Sequence, residues 1–219
     1  MRGIIYKDLY DNFRIWKNLA SYIFALIFVG GWAFLFSESE YYFVLLIMVI
    51  VLCGACAVES SAEQDEAANF NRLLISFPVT KEEIVIAKYI LALIFIAGAN
   101  ILSLIVTVIH VMIVGTLNFS EALPVWAVGV CVSFFITGII YIEYFIFGKR
   151  IGTIVFVVLI AVAAGAYGSL SVIFGIEKFV QMDKTLLLCA GFPVSVLVFA
   201  VSCLISIFVY KKIIPEKCS

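Results

Sequence analysis

Charge is scarce in this chain. Asp, Glu, Lys and Arg make up 13% of its 219 residues and hydrophobic residues 65%, against roughly 25% and 45–50% in an ordinary soluble domain. A water-soluble globular fold is excluded. Polar sequence is short as well, since its longest stretch, 59–83, spans about 25 residues and leaves no room for a soluble catalytic domain. The formal net charge is −1, so no basic field points to nucleic acid. His110 is the single histidine, too few for a histidine-built metal centre. No G-x-x-x-x-G-K-S/T occurs, so the chain does not bind ATP through a phosphate loop.

The six cysteines are missing from the places where a disulfide framework needs them. Cys53, Cys56, Cys131, Cys189 and Cys203 lie inside apolar runs, and Cys218 lies in a basic tail. Cys53 and Cys56 have C-x-x-C spacing without a nearby His or third Cys to complete a site. They read as small packing residues.

What the chain has in abundance is long apolar runs. Six stand out, at about 19–36, 42–58, 84–114, 122–147, 151–174 and 186–210, and each reaches the roughly 17 residues that cross hydrocarbon. Only a helix satisfies every backbone group within one such segment. The expected fold is therefore an all-α membrane protein, one transmembrane domain over 1–219 with six spans. The third run is overlong, and Lys88 interrupts its start, so its first turns are expected to project into water. Arg2, Lys7, Arg14, Lys17, Arg72, Lys81, Lys88, Lys149, Arg150, Lys211, Lys212 and Lys217 fall on one face of this topology, and only Lys178 and Lys184 on the other. Basic residues stay inside, so both termini are expected to be cytoplasmic.

Residues 3–18 precede the first span. Ile5, Leu9, Phe13 and Trp16 recur at helical spacing, with Lys7, Asp8, Asp11, Asn12 and Lys17 opposite, which predicts an amphipathic helix at the membrane interface rather than a cleaved signal. A solvated arm is the alternative. In the 59–83 connection, Ser60 with Glu63 and Thr80 with Glu83 both have capping-box spacing, and Pro78 breaks the chain between them. Its acidic part (Glu59, Glu63, Asp65, Glu66) and its apolar stripe (Phe70, Leu73, Leu74, Phe77) suit either a cytoplasmic partner protein or the membrane surface.

Within the spans, ionisable and amide groups are candidates for function. Glu143 shares a helix face with Arg150, which fits an ion pair near the interface or a role in gating or substrate contact. Asn100 and His110 fit interhelical hydrogen bonds, worth about 1 kcal/mol each, better than ligand chemistry. Ala161, Gly165 and Gly168 put small residues on one face of the fifth span, for close packing against a second protomer or another span. An intramembrane CAAX-type protease is excluded, because Glu82-Glu83 lacks the Arg of E-E-x-x-x-R and further histidines are absent.

The run Leu74-Ile75-Ser76-Phe77-Pro78-Val79-Thr80-Lys81-Glu82-Glu83-Ile84-Val85-Ile86-Ala87-Lys88-Tyr89 resembles the L-P-x-S/T-R/K-x-x-I/V-V-x-x-K-Y segment of bacterial ABC-2-type transporter permeases. The opening Gly3-Ile4-Ile5-Tyr6-Lys7-Asp8-Leu9-Tyr10 is similar to theirs as well; together the two cover about a tenth of the chain. The resemblance implies a non-enzymatic permease subunit of an exporter in the bacterial plasma membrane. It would work as a dimer with a second copy or paralogue, driven by a separate ABC ATPase that carries ATP and Mg. The 59–83 loop would carry the coupling helix, over 61–75, with Glu63, Asp65, Glu66, Phe70 and Leu73 contacting the ATPase. Cargo would be amphipathic or hydrophobic, with peptides favoured, as in phenol-soluble-modulin exporters; substrate-binding residues are unassigned. The alternative is a non-ATPase integral immunity or assembly protein sharing only the topology.

Overall fold

The computed structural model describes residues 2–35, 40–55, 60–62, 64–65, 68, 70, 79–115, 117–148, 151–152, 154–155, 157–158, 161 and 184–213. Every regular element among them is helical: α1 Arg2–Phe13, α2 Trp16–Leu35, α3 Glu40–Ala55, α4 Lys81–Ile113, α5 Phe119–Phe147 and α6 Lys184–Ile213. Four helical stretches, Phe43–Ala62 (which begins in α3), Lys81–Ile113, Phe119–Phe147 and Leu188–Lys212, are long and apolar enough to cross a membrane. The 20-residue α2 covers the first expected span. Most of the fifth, including Gly165 and Gly168, lies outside the described residues, whereas Ala161 is helical and exposed.

Local chemistry explains the helix ends. The expected helix over 3–18 instead stops at Phe13, and α2 begins at Trp16. The Asn18 amide donates to the Asp11 carbonyl at 2.9 Å, serving one of the acceptors that a helix end leaves unpaired. Thr80 caps α4 as its spacing predicts: Glu83 N–H donates to Thr80 Oγ1 at 3.3 Å, and Thr80 N–H to Glu83 Oε2 at 2.9 Å. The partner Glu63 of the other expected capping box lies outside the described residues. Gly148 ends α5 at φ +74°, a conformation that favours glycine. Gly152 N–H then donates to the Gly148 carbonyl at 2.9 Å, and Gly152 packs on the backbone of Glu143.

The core runs through α4, α5 and α6. Val85, Tyr89, Ala92 and Ile96 form one face of α4, meeting Ile140, Tyr141 and Phe145 of α5 and Phe199 of α6. The Tyr89 ring centre lies 4.9 Å from that of Tyr141 and 5.3 Å from that of Phe199. Two glycines set the spacing: a Cβ on Gly54 of α3 would lie 2.6 Å from Ala99 Cβ of α4, and one on Gly138 would lie 3.3 Å from Phe199 Cα. Small side chains let helix backbones approach, which drives packing where lipid removes the hydrophobic contrast.

The outward faces are apolar. Ile101, Ile105 and Met112 of α4 and Leu197, Leu204 and Phe208 of α6 are exposed, while Ser103, Thr107, Ser133, Thr137, Ser202 and Ser206 are buried. That inversion suits a lipid surround, where polar groups need partners inside the protein.

Candidate functional site

The polar groups fall into two sets, one in the bundle and one at the end where α1 meets the start of α4. In the bundle, Asn100 Nδ2 donates to Ser133 Oγ at 3.1 Å, and Trp126 Nε1 donates to the Asn100 carbonyl at 3.0 Å. This is the interhelical bonding expected of Asn100, from α4 to α5. His110 is buried, its ring centre 4.9 Å from that of Phe43. Glu143 is buried too, and its expected partner Arg150 lies outside the described residues.

A third group in the bundle escaped sequence reading. The Tyr89 hydroxyl lies 2.5 Å from Ser202 Oγ and 2.9 Å from Ser206 Oγ, and Ser202 Oγ donates to the Gly138 carbonyl at 2.7 Å. It ties α4, α5 and α6 together at Gly138, where α5 lies close against the backbone of α6. Isolated serines in an apolar run carry no local signal. Only the four-residue spacing of Ser202 and Ser206 hinted at a shared face.

The other set is ionic. Lys88 Nζ lies 2.7 Å from Asp8 Oδ2 and 2.8 Å from Asp65 Oδ2. Lys7 Nζ contacts Asp65, sits 2.9 Å from Asp11 Oδ2 and 3.3 Å from Asp8 Oδ1, and lies 4.4 Å from the centre of the Phe70 ring. Around this core, Asn12 Nδ2 donates to Ser61 Oγ at 2.8 Å, while the Tyr22 hydroxyl donates to Asn12 Oδ1 at 2.9 Å and lies 3.1 Å from Ser60 Oγ. The junction therefore binds α1, the 60–65 segment and the first two turns of α4. Beside it, Lys211 at the end of α6 pairs with Glu82.

Three expectations change. Lys88 does not project into water: it is 3% exposed, because Asp8 and Asp65 supply its countercharge inside the fold. Asp65 is not open to a partner protein as an ATPase contact would be; it is 1% exposed and held by both lysines. The polar side of α1 is turned inward, with Asp8, Asp11 and Asn12 buried, while Tyr6, Tyr10, Phe13 and Trp16 are exposed. Buried charges demand partners, and among the described residues these charges find them in one another. Phe70 is half-buried beside Ile4, Ile84 and Ala87, and Glu63, Glu66 and Leu73 lie outside the described residues.

Burial opposes the charge on Lys7, but the hydrogen bonds it donates to Asp65 and Asp11, with the negative charge of Asp65 and Asp8, outweigh it and hold its ammonium above the usual lysine value. Burial pushes the Asp8 carboxyl above the usual range, against the pull of Lys88. The three carboxylates bring oxygens within 4.8 Å of one another, a spacing a cation would accept, and the two ammonium groups stand among them. The arrangement holds segments together; among the described residues it pairs no nucleophile with a base.

Long helices with apolar outer faces and polar groups turned inward define an integral membrane protein. Residues 3–211 match the family described as ABC-2 family transporter protein, and the chain belongs to that family. It is a membrane permease component of an ABC transporter. No curated protein and no solved structure gives a significant match.

Proposed function

We propose that this chain is the pathway-forming subunit of an ATP-driven exporter in the bacterial plasma membrane. It would have six spans, cytoplasmic termini and an interfacial α1, and would pair with a second copy or paralogue. The observation that carries this reading is the extent of the family match, which runs from α1 through the 59–83 connection to the end of α6. The Lys211–Glu82 pair supports the topology, because it brings the end of α6 to the start of α4 as an even number of crossings requires. Exposed Tyr6 and Tyr10 on α1 and Trp16 at the start of α2 suit headgroup depth. The apolar bundle favours amphipathic or hydrophobic cargo, peptides first. A separate ABC ATPase, holding ATP and Mg, would dock on the 59–83 connection.

The test is purification of the tagged chain from its native membrane, with an ABC ATPase sought in the eluate. Co-elution and cargo-stimulated ATP hydrolysis are expected; a folded chain that never retains an ATPase would overturn the reading. Glu63, Glu66, Phe70 and Leu73 are the proposed contacts. Phe70→Ala should weaken docking by about 1–3 kcal/mol, as apolar anchors do, and reversing Glu63 and Glu66 should matter mainly at low salt. In the fifth span, Gly165→Leu should lower the dimer yield in detergent if Ala161, Gly165 and Gly168 line the protomer contact. An unchanged dimer would assign that face to packing within one chain.

A further inference from the structure

At the α1 junction, carboxylates outnumber ammonium groups. Asp8, Asp11 and Asp65 cluster within 4.8 Å, and among the described residues Lys7 and Lys88 are the cations paired with them. Tyr141 and Tyr144 of α5 and Tyr210 of α6 also face the cluster, and a phenol adds no positive charge. With every acid ionised the site would carry one uncompensated negative charge, although Asp8, Asp65 and Lys88 are 0%, 1% and 3% exposed. A buried carboxylate without its own countercharge takes a proton instead.

The geometry selects which acid takes it. Asp65 bridges both lysines, and Asp11 has Lys7 at 2.9 Å and retains some exposure. Asp8 also touches both lysines, Lys88 at 2.7 Å and Lys7 at 3.3 Å, but it is the most enclosed of the three acids, so burial opposes its charge most. We propose that the junction is a proton-binding site, its three carboxylates holding one proton between them at neutral pH, with Asp8 as the acid that carries it. The Asp8 O–H then donates to a neighbouring carboxylate, leaving two carboxylates against two ammonium groups.

A pH dependence follows. Burial raises the Asp8 carboxyl above its unfolded value, with the nearby Asp65 charge adding to it. A carboxyl shifted in that direction stabilises the fold below its unfolded value, and this contribution is lost as pH rises through the folded one. The tie between α1, the 60–65 segment and α4 is therefore tightest with the proton bound.

The chain has four aspartates, Asp8, Asp11, Asp65 and Asp183, so aspartate-selective ¹³C-carboxyl labelling of the full protein in lipid reads this cluster almost alone. In the wild type one of the four signals should remain protonated at neutral pH and ionise on raising the pH. It should vanish in Asp8→Asn, with the rest ionised, and survive in Asp183→Asn. Four ionised aspartates in the neutral wild type would overturn the proposal without recourse to any variant. A protonated signal that persists in folded Asp8→Asn, or disappears in Asp183→Asn, would also overturn it. None of these readouts depends on an ATPase or on transport.

Discussion

Lys88→Met should destabilise the protein by about 3–5 kcal/mol, the range for removing one partner of a buried ion pair. Lys88 is 3% exposed and contacts both Asp8 and Asp65. Its loss leaves three clustered carboxyl groups with Lys7 alone among the described residues. Protonation of a second acid would recover part of the loss, so the deficit should shrink as pH falls. The double variant Lys88→Met/Asp65→Leu should regain much of it, because apolar replacement of a buried pair is often close to neutral. Unfolding in mixed micelles across a pH series measures all three. A Lys88→Met protein as stable as the wild type at every pH would show that the junction is not buried.

Gly54→Leu should be the most damaging single change in the bundle. The first added carbon already meets Ala99 Cβ at 2.6 Å and the Phe95 carbonyl oxygen at 3.3 Å. Ala99 and Phe95 sit on a continuous helix, so α3 and α4 must separate rather than a side chain swing aside. Overpacking of this kind costs about 1–3 kcal/mol, and more when backbone has to move. Gly54→Ala gives the smaller dose and allows a sharper test. Its worst contact is with one methyl group, so Ala99→Gly in the same chain should restore most of the lost stability, despite the about 0.5–1 kcal/mol that a mid-helix glycine costs. A double variant no better than Gly54→Ala would place the clash elsewhere.

The family was legible in two short stretches, Gly3–Tyr10 and Leu74–Tyr89, and the match over 3–211 bears that out. Helix starts were legible where a cap was written locally, as at Thr80 and Glu83. Asn100 donates from α4 to Ser133 of α5, a use that a lone amide in an apolar run commonly finds. Lys88 and Asp65 were misread for the opposite reason. A charge next to a connection looks solvated when only its neighbours in sequence are considered.

The sequence by itself determined the medium and the elements. Sixty-five per cent apolar residues in long runs demand lipid, and lipid demands helices, because each segment must satisfy its own backbone. Those are local requirements, met within one run at a time. Only the tertiary structure decided which polar groups meet. Lys7 finds Asp65 58 residues away, Lys88 finds it 23 residues away, and Tyr89 reaches Ser202 across 113. Such pairings depend on which faces the helices turn toward one another. That choice is set by close approaches such as Gly54 on Ala99, which no run of residues announces alone.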